Sequence, residues 1–328
     1  MSSHQRILVT GAGGFVGRYL MPTLRTAFPS ATLIAGAAEP ALEFADIVLP
    51  LDLADPGSIK NCLTEAQPDA VMHLAAAAIV SQSFADPAGT WKVNVDGTLV
   101  LAQTLMQTMP NTQLVYISSA EAYGLTFKRG DPLDEDAPFA PGNPYAASKA
   151  AADIALGEMG LRGLKVVRLR PTSHTGPGQS DAFVVPAFAR QLAGIEAGQQ
   201  EPVLRVGALD RWRDFLDVRD VCAAYAAALN CADSLLPGTA LNIASGVPKR
   251  IGDILDALIA RTGLDVKIVT DATRLRPTDV VTVTANSNRA RALLGWTPQV
   301  EWDSTLDAIM ADWRVRVRLP PPHADRGL

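Results

Sequence analysis

A chain of 328 residues, 48% hydrophobic and 19% charged, is long enough for one large domain or two lobes with an ordinary globular core. A formal net charge of −5 and the absence of any Lys/Arg block exclude nucleic acid as the main partner, while a small anionic ligand needs only local arginines. No apolar run reaches the roughly 18 to 20 residues of a membrane span, and the scattered Cys62, Cys222 and Cys231 read as core thiols rather than as a disulfide or metal site.

The start, "MSSHQRILVT", passes from polar residues directly into an apolar strand without the pattern of a signal peptide, so a cytoplasmic protein is expected. Along the first half, "RILVT", "ATLIAG", "DIVLPLD", "DAVMHLA", "QLVYISS" and "LKVVRLR" read as strands. Between them, "GFVGRYLMPTLRTA", "GSIKNCLTEAQ", "WKVNVDGTLVLAQTLMQ" and "PYAASKAAADIALGEM" carry helical periodicity. Strands apolar on both faces, alternating with helices, predict a doubly wound α/β domain with a parallel sheet over residues 1–171. "PTSHTGPGQSD" then opens a Gly/Pro/Ser-rich loop, and "RDFLDVRDVCAAYAAAL" and "ALNIASG" return to the sheet over 215–244. A smaller α/β substrate lobe is expected at 172–214 and 245–316, followed by a flexible tail at 317–328.

"ILVTGAGGFVGRYL" sets Gly11, Gly14 and Gly17 between a strand and a helix, where glycine permits a tight turn, backbone approach to a pyrophosphate and close helix packing. A dinucleotide site is expected there. At the end of the second strand, Ala37 stands where an NAD-selecting acid would sit and Glu39 is only a distant substitute. Nothing repels a 2′-phosphate and no arginine receives one, which favours NADP(H) or dual use over NAD alone. Asp52 is a candidate for the adenine edge or, equally, a helix-capping acid. His73 reads as a satisfied strand-end histidine.

"PYAASKAAA" holds Tyr145 and Lys149 one helical turn apart, and a cation beside a phenol favours the phenolate, making a usable acid/base. "VYISSAEAYG" brings Ser119 and Glu121 to the end of a strand. Together, "TGAGGFVG", "HLAA", "SSAEAYG" and "YAASK" resemble the extended short-chain dehydrogenase/reductases that act on nucleotide sugars. The resemblance implies a catalytic triad of Ser119, Tyr145 and Lys149, with Asn94 supporting the lysine through water. It also implies a cofactor site of Gly11, Gly14, Phe15, Val16, Gly17, Asp52, Leu53, Leu74, Ala75, Ala76, Asn94, Tyr145, Lys149 and Pro171, and no metal.

"RPTSHTGPGQSDAFVVPAFARQL", "GALDRWRDFLDVRDV" and "RLRPTDV" are similar to the GDP-6-deoxyhexose branch, which comprises 4,6-dehydratases and 4-ketosugar reductases. In that reading a GDP-sugar is the substrate and Arg213 and Arg276 clamp its diphosphate, the alternative being ion pairs with Asp214 and Asp279. Phe183 and Val184 wall the nucleobase or belong to an ordinary core. Ser173 replaces the asparagine usual in the branch. Glu121 matches the dehydratase base by position, yet Ser119-Ala120 replaces the usual Thr-Ser before it, which favours a reductase with Glu121 orienting substrate. The expected reaction reduces the 4-keto group of a GDP-4-keto-6-deoxyhexose to GDP-D-rhamnose or GDP-6-deoxy-D-talose; a GDP-mannose 4,6-dehydratase, a nucleotide-sugar 4-epimerase and a non-catalytic nucleotide-binding protein are the alternatives. Small and apolar residues in the helices around 91–109 and 144–160 point to a homodimer.

Overall fold

The computed structural model describes residues 4–39, 41–274 and 280–318. They form two compact units. The larger contains the described residues up to 174 together with 213–248 and 280–299; the smaller contains 175–212, 249–274 and 300–318.

The larger unit is built on seven parallel strands: β1 (Arg6–Thr10), β2 (Thr32–Ala37), β3 (Ile47–Pro50), β4 (Ala70–His73), β5 (Gln113–Ile117), β6 (Val166–Pro171) and β7 (Thr239–Ile243). Their spatial order is β7-β6-β5-β4-β1-β2-β3, which reverses direction between β1 and β4. In such a sheet ligands bind beyond the carboxyl ends of the strands at that reversal. Alternate residues of each strand feed different cores, as two covered faces require. Ile7, Val9, Leu33, Ala35, Val115 and Leu169 pack with helices α1 (Phe15–Ala27) and α5 (Val218–Cys231), whereas Leu8, Ile34, Val71, Leu114 and Val166 pack with α2 (Pro56–Ala66), α3 (Thr98–Thr108) and α4 (Pro144–Leu161). Each fully buried aliphatic side chain contributes about 1.5 to 3 kcal/mol.

The helix starts follow local chemistry. Asp55 caps α2 by accepting from Gly57 N with Pro56 at the first helical position, and Asn143 caps α4 by accepting from Ala146 N with Pro144 there. Cys62 and Cys222 lie in the two cores and Cys231 is half-buried; all three are free thiols. Residues 280–299, assigned to the smaller lobe on sequence, pack instead in the larger unit, because Ala290, Leu294 and Trp296 bury into the core beneath α5. The Trp296 indole also donates to the Asp220 carbonyl at 2.9 Å.

The smaller unit carries helices Val184–Glu196, Ile251–Ala260 and Trp302–Arg316 and a parallel pair, Val203–Val206 with Lys267–Thr270. Arg261 pairs with Asp303 and Asp307, and Arg314 with Glu196. Of the expected tail at 317–328, residues 317–318 are described. Among the described residues no helix is long and apolar enough to cross a membrane, and no His/Cys/Asp/Glu group is placed to hold a metal.

Candidate active site

The glycine loop connects β1 to α1. Gly11 adopts φ +73°, and a Cβ there would come within 2.9 Å of the Ala75 backbone, so the loop lies directly on the chain leaving β4. A Cβ on Gly17 would fall 2.3 Å from the Ala12 carbonyl, which explains glycine where the helix crosses the loop. Gly14 begins α1 with no side-chain cap and no acid in the first turn, leaving the amide groups ahead of Phe15 and Val16 for an anion. This cradle fits the diphosphate of a nicotinamide dinucleotide.

Leu74, Ala75 and Ala76 follow β4 beside that loop, held by an internal relay. Thr10 Oγ1 meets His73 Nδ1 at 2.7 Å, His73 Nε2 meets Thr98 Oγ1 at 3.0 Å, and Ala75 N donates to Thr10 Oγ1. His73 is thus the satisfied strand-end histidine expected; burial, with Lys149 adding repulsion, lowers its pKa to about 3. Asp52 is exposed and accepts from Ala54 N at 2.8 Å, and the helix cap is Asp55, which removes the capping reading of Asp52. Leu53 is buried, with its carbonyl close against Gly97. Glu39 departs from the sequence reading: its carboxylate lies against Gly13, where a Cβ would stand 2.5 Å from Oε2, so a negative charge does border the loop.

At the next strand end, β5 delivers Ser119, whose Oγ accepts from Glu121 N at 3.1 Å and caps the 3-10 segment that follows, Ala120–Arg129, which is kinked at Gly124. Tyr145, at the start of α4, stands near enough to Ser119 for the hydroxyl to act on its phenol. Lys149, one turn on and 3% exposed, donates to the Ile117 carbonyl and lies 4.5 Å from the centre of the Tyr116 ring. Burial is the main influence on Tyr145 and pushes the phenol up to about 12; the Ser119 hydroxyl pulls it down and the Glu121 charge adds to the rise. The acidified phenol expected from spacing alone is therefore not the resting state, because burial raises the phenol while the lysine is engaged with a main-chain carbonyl.

Asn94 lies in a π-helical segment, Lys92–Gly97, and donates to Ser148 Oγ at 2.9 Å while closing two hydrogen bonds with the Ala77 main chain. It thereby braces α4 next to the lysine. Asn143, absent from the sequence reading, joins the α4 cap to the site: its amide nitrogen is 3.5 Å from Glu121 Oε2. The Asn-Pro pair before an Ala-rich helix was its visible signal.

The substrate residues are less gathered. Ser173 is half-buried two residues beyond Pro171, the expected cofactor residue that ends β6, and the adjacent His174 stacks on Phe15 with ring centres 6.4 Å apart. Arg213 Nη1 donates to the carbonyls of Val280 and Val281, and Asp214 accepts from Ser245 and Gly246. Arg276 and Asp279 lie outside the described residues. In the smaller unit Phe183 and Val184 begin a helix and are each 37% exposed, so neither is an ordinary core residue.

The model of the GDP-mannose 4,6 dehydratase family matches residues 8–309. The GDP-6-deoxy-D-mannose reductase of Pseudomonas aeruginosa is 36% identical over 315 residues, 96% of this chain and 99% of that relative. Among solved structures, RMD from Pseudomonas aeruginosa complexed with NADPH superposes with a TM-score of 0.81 at 35% identity, covering 95% of this chain and 99% of that one. The UDP-glucose 4-epimerase of Thermus thermophilus in complex with NAD gives 0.81 at 28% identity, covering 94% and 99%. With its glycine cradle, parallel sheet and Ser119-Tyr145-Lys149 cluster, the chain belongs to the GDP-mannose 4,6 dehydratase family of extended short-chain dehydrogenase/reductases.

Proposed function

We propose that the chain is an NAD(P)H-dependent reductase of the 4-keto group of a GDP-4-keto-6-deoxyhexose, forming GDP-D-rhamnose or its 4-epimer, GDP-6-deoxy-D-talose. The observation that carries this reading is Tyr145 beside Ser119 and one helical turn from a buried Lys149, in a chain 36% identical to a GDP-6-deoxy-D-mannose reductase.

Reduced nicotinamide, when bound, supplies a hydride to the carbonyl carbon. The single proton, which goes to the oxygen, comes from the chain. With its pKa near 12, Tyr145 is protonated at neutral pH, which is the form a reductase needs to donate to the developing alkoxide. A ketone oxygen set between the neighbouring hydroxyls of Ser119 and Tyr145 receives two donors, stabilising the charge that forms there. The phenolate left behind is favoured by the neighbouring ammonium of Lys149 until it regains a proton. Glu121, tied to Ser119 through its own N–H and to Asn143 through its carboxylate, orients the sugar. Within the larger unit, Arg213 takes the diphosphate and Ser173 borders the sugar.

The nearness of Glu121 to Tyr145 supports a second reading, a 4,6-dehydratase in which the carboxylate removes a carbon-bound proton. An absorbance trace at the nicotinamide band separates the two. The reductase consumes one NAD(P)H per ketosugar and E121Q retains most turnover; conversion of GDP-mannose without reduced cofactor, abolished in E121Q, identifies the dehydratase. The chain works as a homodimer through the helices around 91–109 and 144–160, where Ile154 is 60% exposed on α4; a monomer in sedimentation ends that reading. Three free cysteines suit a reducing cytoplasm.

A further inference from the structure

Tyr145, Lys149 and Asp153 recur every four residues on α4, so they lie on one face in successive turns. The third has no part in the reaction above, yet it is the most enclosed, with Asp153 fully buried. Its Oδ1 receives Arg168 Nη1 at 2.6 Å and Arg170 Nη2 at 2.8 Å, and its Oδ2 receives Arg170 Nε at 3.0 Å. Arg168 also bonds the Gly238 carbonyl, and Arg170 reaches Tyr123 Oη and the Glu135 carbonyl. The cluster therefore ties α4 to β6 and to the segment that follows Ser119.

Two cations on one buried carboxylate exceed what a structural pair needs, and apolar side chains of similar size would pack there at no greater cost. The excess has a direction. The groups that face Lys149 are the neutral His73 of β4, the Tyr116 ring and Ile117 carbonyl of β5, and Tyr145 and Asp153 of its own helix, with Arg168 and Arg170 of β6 behind Asp153. Burial drives the lysine down to about 7, and Asp153 is the charge that opposes it.

We propose that Asp153 is a positioning residue for Lys149: clamped by Arg168 and Arg170, its carboxylate fixes the lysine's turn against the sheet and keeps the ammonium charged, while the two arginines limit how much negative charge reaches it. The inference rests on the reductase reading only in treating Lys149 as catalytic. An electrostatic role has a signature that a purely structural one lacks, since removing the anion and removing one of its cations move the lysine in opposite directions.

The test follows the Cε resonance of Lys149 against pH in protein carrying 13C-lysine, assigned by its loss in K149R, together with the alkaline limb of kcat/KM. Both lysine midpoint and limb move down in D153N and up in R168M, each by roughly one pH unit, a tenfold change in the protonation equilibrium. R168M keeps an Arg170-Asp153 pair and is expected to fold even if D153N, which strands two buried arginines, does not. An R168M midpoint that stays or falls overturns the proposal, as does a folded D153N whose midpoint is unmoved. Midpoints that move oppositely in a protein with no ketosugar turnover uphold the role of Asp153 and sink the reductase reading alone.

Discussion

Around β1 and α1 the chain works with bare backbone: Gly11 rests against Ala75, Gly14 leaves the helix start uncapped, and no charged side chain is buried in the loop. Around β5 and α4 it works with buried charge: Lys149 and Asp153 are enclosed and Arg170 crosses from β6 to meet them. The difference suits the tasks. A diphosphate is already fully ionised and needs only oriented N–H groups at close approach. A ketone oxygen becomes an anion only during the reaction, so donors must be preset where water is scarce.

That contrast is broken most sharply at the phenol. Tyr145→Phe keeps the ring and removes the donor, so kcat/KM falls about 10²- to 10⁴-fold while NADPH binding, measured by fluorescence, stays within a few-fold of the parent. A variant that keeps a tenth of its activity would mean that another group delivers the proton.

The backbone end is tested by adding one carbon. Gly11→Ala places a methyl group within 2.9 Å of the Ala75 main chain in a left-handed conformation. Strain and overpacking of this kind cost about 1 to 3 kcal/mol, and the cofactor Kd should rise about 5- to 150-fold. Normal NADPH binding by the Gly11→Ala variant would show that the loop does not approach the cofactor through its backbone.

Legibility in the sequence follows the same division. The glycine fingerprint, the strands and the Ser119, Tyr145 and Lys149 pattern act over short spacings, so their residue types stand in readable order. The clamp on Asp153 spans 15 and 17 residues to its arginines, and the His73 relay spans 63 to Thr10 and 25 to Thr98. Nothing in local periodicity announces such pairs, although two arginines alternating in an otherwise apolar strand, "VVRLRP", mark a buried partner. Trp296 escaped for the same reason, since the core it fills was already complete by residue 244 as far as pattern could tell.

The relay makes a stability prediction with a definite sign. Folded His73 titrates near 3 against 6.5 for a free imidazole, so between those values the unfolded chain binds the extra proton. Its contribution is intact above pH 6.5 and is lost as pH falls towards 3, at up to about 1.4 kcal/mol per pH unit. His73→Phe is less stable at pH 7 through its lost hydrogen bonds, but the gap to the parent should narrow steadily in urea melts taken towards pH 4. A constant gap would mean that His73 is charged in the folded chain.

The smallest effect lies where the two styles meet, at Glu39, a charged side chain against the glycine loop. An acid near the end of the second strand favours the ribose hydroxyls of NAD, whereas the 2′-phosphate of NADP meets its charge. The residue is exposed, so solvent screens that repulsion to about 1 kcal/mol at contact distance. Glu39→Gln keeps the shape and removes the charge, and kcat/KM for NADPH relative to NADH should rise roughly three- to tenfold. An unchanged ratio would place the 2′-position away from Gly13 and leave cofactor choice to residues beyond this loop. A fall would make Glu39 a hydrogen-bonding partner of the phosphate-bearing ribose, with the loop recognising by side chain as well as by backbone.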